Sequence, residues 1–282
     1  MRIAIGVSYE GSRFDGWQSQ PSRNTVQDYL ERALAAVADQ AVRVVAAGRT
    51  DAGVHAAAQV VHFECDAQRD MSAWTRGTNA HLPPEIAVQW AVPVDQEFHA
   101  RFSAQARSYR YVLYCHAVRH SLMSRHVGWY HRPLDLAGMR AAAAILVGEH
   151  DFSAFRSSEC QAKTPVRRME SASVQGHGPY LLFDFTANAF LHHMVRNLVG
   201  CLVYIGKGKH QPAWMAEVLA SRDRRMAAPT ISPAGLYLAA VRYPERWPLP
   251  AFARMMPFGG ASIGPEIEPE HGVNGVIGGE GA

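Results

Sequence analysis

The chain has 282 residues, of which 48% are hydrophobic and 19% charged, and a formal net charge of +3. That apolar content is enough to build one large domain or two intimate halves, and no run of eighteen apolar residues predicts a membrane span. The four cysteines (Cys65, Cys115, Cys160, Cys201) are scattered without a CxxC pair, which points to free thiols in a reducing, cytoplasmic compartment and away from a zinc site.

The charge is unevenly distributed. Beyond Arg254 the only charged residues are Glu266, Glu268, Glu270 and Glu280, so the body of the chain carries +7. Only Lys163, Lys207 and Lys209 are lysines, leaving 25 arginines. The arginine fork suits phosphate oxygens and stacks on bases. A GC-rich coding sequence gives the same excess of Arg over Lys, so composition by itself only biases the choice of partner.

In chain order, Arg2 to Tyr9 alternates as a strand with Ile3, Ile5, Val7 and Tyr9 on one face. It begins at once, without the apolar stretch and cleavage site of a signal peptide. A loop with Gly11, Gly16 and Trp17 leads to Asn24 or Thr25 as N-cap of a helix from Val26 to Ala38, striped by Val26, Leu30, Ala33, Leu34 and Val37. Strand-like runs from Val42 to Ala47 and Val60 to Phe63 flank a bend at Asp51. A short helix near Ala73 to Thr78 and a strand from Ile86 to Val92 complete a β-α-β-β-α-β order over residues 1 to about 102, as in RRM-like and ferredoxin-like folds. The second half repeats the rhythm loosely. It has a strand from Arg107 to Cys115, a helix from Leu136 to Val147, and strands near Arg168 to Val174 and Leu181 to Ala187. Helices follow from Leu191 to Ile205 and from Pro212 through Leu219, then a last strand from Leu236 to Arg242. The expected division is 1–104, 105–248 and a Gly/Pro/Glu tail, 249–282, that reads as disordered. The fold class is α+β, two such halves with adjoining, mainly antiparallel sheets and a cleft between them that holds Asp51.

The densest chemistry lies in Gly48-Arg49-Thr50-Asp51-Ala52-Gly53-Val54-His55. Asp-x-Gly alone is an ordinary turn in which Asp bonds its own backbone. A plain turn needs neither Arg49 nor His55. A carboxylate fixed between two strands beside a cation can serve as nucleophile or base.

This string resembles the signature of the tRNA pseudouridine synthase A (TruA) family. Further segments agree in order: Phe14-Asp15-Gly16-Trp17-Gln18, Phe98-His99-Ala100-Arg101-Phe102-Ser103, Arg107-Ser108-Tyr109-Arg110-Tyr111, Cys160-Gln161-Ala162-Lys163-Thr164-Pro165, Phe190-Leu191-His192-His193-Met194-Val195-Arg196-Asn197 and Gly235-Leu236-Tyr237-Leu238. The resemblance spans about Arg2 to Pro248. It implies an isomerase that converts uridines 38, 39 and 40 of the tRNA anticodon arm to pseudouridine, acting on a flipped-out base as a homodimer without cofactor. Asp51 is then the catalytic carboxylate, and addition to C6, attack on C1′ and removal of a ribose proton all remain open. Tyr109 is the platform for the ring, with Tyr111 structural. Arg196 is the basic partner of Asp51, Arg49 helps to hold the flipped base, and Leu236 packs near the site. Arg69, Arg101, His99 and Lys163 are expected RNA contacts, although Arg69 sits in a polar turn where a solvated charge explains it better. Read as a helix, Leu191 to Ile205 puts His192 beside Arg196 at i, i+4 and turns His192 and His193 different ways, so no metal is expected. The rivals are a non-catalytic RNA-binding module and a metal-assisted hydrolase built on Asp51, His55 and His192.

Overall fold

The helix from Val26 to Ala38 forms where its apolar stripe and cap predict it. The computed structural model describes residues 1–251, and the segment beyond, with most of the expected tail, lies outside the described residues. β1 (Arg2–Tyr9) leads through a 3-10 turn into α1 (Val26–Ala38). The Thr25 side chain caps α1 by accepting the Asp28 N–H. β2 (Val44–Ala46) and β3 (His55–Glu64) bracket the Asp51 bend. A π-helical turn (Ala73–Gly77) running into α2 (Thr78–Ala80) precedes β4 (Ile86–Val94), so the order predicted for the first hundred residues is the order found.

The second half comprises β5 (Ala106–Cys115), β6 (Gly128–Tyr130), α3 (Leu136–Ala144), β7 (Gly148–Asp151), β8 (Val166–His177), β9 (Tyr180–Ala187), α4 (Met194–Gly206), α5 (Trp214–Ser221) and β10 (Leu236–Arg242). All the strands join one sheet in the order β4-β1-β3-β10-β5-β9-β8-β7, with β2 also on β3 and β6 also on β5. The pairings are antiparallel except β10 with β3 and β5 with β6. The last strand therefore lies at the seam, hydrogen-bonded on one side to β3 and on the other to β5. That insertion carries the Asp51 bend, at the head of β3, up against the start of β10.

Three details depart from the sequence reading. β1 is covered on both faces, with Ala4, Gly6 and Ser8 as buried as the apolar face, because β3 and β4 flank it and residues pack above and below. The short strands β6 and β7 carry too little alternation to announce themselves and exist through their partners. Finally, α4 starts at Met194 rather than Leu191, because His193 takes a left-handed conformation (φ 62°) that no helix can include.

The main core runs beneath both halves and gathers α1, α3, α4 and α5 on one side of the sheet. A smaller cluster of Trp90, Phe98, Ala100 and Trp247 backs the first half. Val112, Val127, Leu182 and Tyr237 back the second. Among the described residues, no helix is long and apolar enough to cross a membrane.

Candidate active site

The loop from Ala47 to Val54 is pinned along its length. The Trp17 N–H donates to the Thr50 carbonyl (3.0 Å), and the Val54 N–H to the Asp51 carbonyl (3.1 Å). Tyr9 Oη and Thr50 Oγ1 are 2.7 Å apart, and Gln59 Nε2 donates to the Gly48 carbonyl at 2.7 Å. Gly16 (φ 92°) lies so close that a Cβ there would meet the Thr50 carbonyl oxygen at 2.8 Å. The role of Gly16 is thus close approach of backbone to backbone. Gly53 (φ 77°) packs on Pro233, just before β10.

His55 serves the same pinning. Its Nδ1 accepts the Gly11 N–H (2.9 Å), which leaves the proton on Nε2 to face the carbonyls of Arg125 (2.9 Å) and Ala234 (3.1 Å). Burial pushes this imidazole below its ordinary range. A neutral, fully engaged His55 has no lone pair to give a metal. That removes it from the hydrolase reading and from the nearby Glu10–His55–His126 cluster.

The Asp51 carboxylate points across the seam at α4. Arg196 Nη1 donates to Oδ2 at 3.2 Å, and Arg196 Nε donates to the Ile231 carbonyl at 2.9 Å. His192 Nε2 is 3.2 Å from Oδ1 and His193 Nε2 3.3 Å from Oδ2. Burial lowers the His193 pKa from its usual range, against the opposing pull of Asp51. The expectation that the two histidines diverge is therefore wrong. Both precede α4, and the left-handed turn at His193 brings the rings within 4.0 Å, centroid to centroid. The expected lack of a carboxylate at ligand spacing is overturned as well, since Asp51 arrives from the other half and completes an Asp–His–His donor set. For a metal this set fits poorly, because the permanent cation of Arg196 already occupies Oδ2.

Tyr109 sits mid-strand on β5, between Leu238 of β10 and Phe185 of β9, with its ring edge-on to Phe190 (5.0 Å). Burial holds its phenol well above the ordinary range, with Tyr9 and Asp51 adding to the rise, so the hydroxyl keeps its proton. Tyr111 is fully buried and donates to the Ser232 carbonyl (3.0 Å), a structural bond. Leu236 is buried at the head of β10, opposite Tyr111.

The basic side chains divide by position. Arg49 is exposed on the Asp51 loop, with no partner among the described residues. Arg101 and Phe102 are exposed and stack with the half-buried His99, Phe102 being 76% accessible, its ring 4.3 Å from that of His99 and 5.5 Å from the Arg101 guanidinium carbon. Lys163 is exposed in the loop before β8. Arg69 lies beyond the far end of β3, a strand about 30 Å long, and bonds the Val37 carbonyl (3.2 Å) at the end of α1. The fold thus does not gather Arg69 with the rest. Two groups at the site had no assigned role in the sequence reading: His193, visible only as half of a histidine doublet, and Phe190, three residues before it.

The family described as tRNA pseudouridine synthase matches residues 5–103 and 142–244. The tRNA pseudouridine synthase A of Paraburkholderia xenovorans (strain LB400) is 60% identical over 250 residues, covering 89% of this chain and 93% of the relative. That of Thiobacillus denitrificans (strain ATCC 25259 / T1) is 57% identical over 258 residues, covering 92% and 99%. That of Burkholderia mallei (strain SAVP1) is 57% identical over 250 residues, covering 89% and 93%. Matched in both halves and along nearly its whole described length, the chain belongs to the tRNA pseudouridine synthase family.

Proposed function

We propose that the protein isomerises uridine to pseudouridine in the anticodon arm of tRNA, at positions 38, 39 and 40, with Asp51 as the group that attacks or deprotonates the nucleotide. The observation that carries this reading is the Asp51 carboxylate, held on a rigid loop of one half and met at 3.2 Å by Arg196 of the other. Isomerisation breaks the N1–C1′ bond, turns the base over and joins C5 to C1′. C5 loses a proton and N1 gains one, so the reaction is redox-neutral and calls for no cofactor. A base within a stem must leave the stack to reach a carboxylate at such a seam. Tyr109 supplies a ring to hold it, Leu236 an apolar wall, and Arg49 an exposed cation at the loop's edge. Addition of Asp51 to C6, attack on C1′ and removal of a ribose proton fit the arrangement equally well.

The +7 body and the exposed cations Arg101 and Lys163, with His99 beside Phe102, suit a phosphate backbone, whereas Arg69 would touch only a distant part of a large RNA. A homodimer in the cytoplasm completes the reading, because one subunit is small beside an L-shaped tRNA.

The test is release of tritium from tRNA carrying 5-³H-uridine, since C5 must lose its hydrogen to bond C1′. Turnover should persist with chelator and map to positions 38 to 40, and the gel-filtration mass should be that of two chains. Asp51→Asn should bind tRNA within a few-fold of wild type and release no tritium. Tritium release by Asp51→Asn at ordinary enzyme concentration would remove Asp51 from the chemistry.

A further inference from the structure

Arg107 lies two residues before Tyr109 on β5, buried to 8% exposure and without a carboxylate partner among the described residues. Its five N–H groups are all engaged, and every acceptor is a backbone carbonyl. Nε (3.3 Å) and Nη2 (2.9 Å) both donate to Ala47, Nη1 donates to Ala104 (3.1 Å) and Asn188 (2.9 Å), and Nη2 also donates to Arg101. These carbonyls come from three segments, which the one side chain joins. Ala47 is the root of the Asp51 loop. Arg101 and Ala104 belong to the connection between β4 and β5, which carries the His99–Phe102 stack. Asn188 opens the turn that carries Phe190, His192 and His193. A buried cation without an anion is costly, and burial pulls this guanidinium below its usual range. Four carbonyls stripped of their donors would be costly too. A planar fork with five donors resolves both demands, and a lysine, with three donors on a single atom, does not.

We propose that Arg107 is a positioning residue for catalysis, the clip that sets the Asp51 loop against the His192–His193 turn and the β4–β5 connection. It touches no reacting atom and acts through Asp51 and the turn, so the inference rests on Asp51 as the reacting group. Displacing a reacting group by about 1 Å costs on the order of 10²-fold in rate. Loss of the fork should therefore reach kcat before it reaches tRNA binding.

The experiment compares Arg107→Lys and Arg107→Met with wild type, measuring Tm, KM and kcat for tRNA in the tritium assay well below Tm. The expected result is a cooperative unfolding transition, KM within a few-fold, and kcat lower by on the order of 10²-fold. Wild-type kcat in either variant, once folded, would overturn the inference. Should both fail to fold, Arg107→Ala is measured with added guanidinium chloride at sub-denaturing concentration. Recovery of kcat together with Tm supports the clip, and recovery of Tm alone overturns it. Asp51→Asn is run alongside. Activity in that variant would overturn the reading of Asp51, whereas an active Arg107 variant beside an inert Asp51→Asn would overturn only the clip.

Discussion

Arg196 holds Asp51 and the backbone of Ile231 with one guanidinium, Nη1 donating to Oδ2 at 3.2 Å and Nε to the carbonyl at 2.9 Å. The pair spans 145 positions of sequence, and the bond to Ile231 fixes where its cation stands. The Arg196 side chain is 13% exposed and that of Asp51 21%, so the pair is screened only in part. The geometry fixes the direction of the carboxylate as well as setting a cation beside it.

Arg196→Ala leaves the carboxylate facing two imidazoles. A charge-assisted hydrogen bond is worth about 1.5–3 kcal/mol, so kcat should fall by roughly 10- to 150-fold. Arg196→Lys keeps a charge but cannot serve both acceptors, and should lie between the two. Wild-type kcat in Arg196→Ala would show that Asp51 is oriented without it.

The approach of Gly16 to the Asp51 loop gives a test with an internal control. A Cβ at Gly16 (φ 92°) would stand 2.8 Å from the Thr50 carbonyl oxygen and 3.1 Å from the Asp51 carbonyl carbon, both backbone. At Gly208 (φ 76°) the same atom meets open space. Gly208→Ala should cost only the left-handed strain, about 1–2 kcal/mol, with kcat unchanged. Gly16→Ala should cost more in Tm and should lower kcat, because the loop that presents Asp51 must move. Equal Tm losses and equal kcat in the two variants would place the loop's rigidity elsewhere.

What the sequence discloses here follows the range of the interactions. α1 was legible because its stripe and the Thr25 cap are written within fourteen residues. The alternating strands were legible for the same reason, and so was the order of elements in the first half. β6 and β7 were not, since three or four residues become a strand only by pairing with β5 or β8. Nor does local pattern reveal that β10 inserts between β3 and β5, since it skips every strand in between. The left-handed turn at His193 was invisible to a helical reading of Leu191 to Ile205, and with it the convergence of both histidines on Asp51 was lost. Arg196 entered through family resemblance, because no local rule pairs residues from opposite halves.

His62 makes a prediction about pH. Its Nδ1 accepts the Ala100 N–H at 3.1 Å, and protonation there would break the bond. Burial pushes its pKa down to about 4 from the ordinary 6.5, with His99 and Arg2 adding to the fall. The unfolded chain therefore takes up a proton near pH 6.5 that the folded one refuses until about pH 4. Stability falls as pH drops through that window, by roughly 2–3 kcal/mol from this group. Above pH 7 both states are neutral and the term vanishes. His62→Gln retains an acceptor without the titration, so urea midpoints measured from pH 7.5 to 4.5 should decline less steeply in the variant. Parallel declines would mean that the folded His62 titrates normally.

Substitutions at Tyr109 divide packing from chemistry. The side chain is 8% exposed, so Tyr109→Ala would open a cavity and blur any effect on binding. Tyr109→Leu keeps apolar volume without an aromatic face, and Tyr109→Phe keeps the face without the hydroxyl. If the ring holds the flipped uracil, Phe should bind tRNA as wild type does, and Leu should lose roughly 1–3 kcal/mol. If the hydroxyl also moves a proton, Phe should bind normally and turn over slowly. Because burial holds that phenol well above its ordinary range, the wild-type rate should show no alkaline limb from Tyr109 below about pH 10. A Leu variant equal to wild type in affinity and kcat would reduce Tyr109 to a core residue, leaving Phe190, whose ring lies 5.0 Å away, as the next aromatic to substitute.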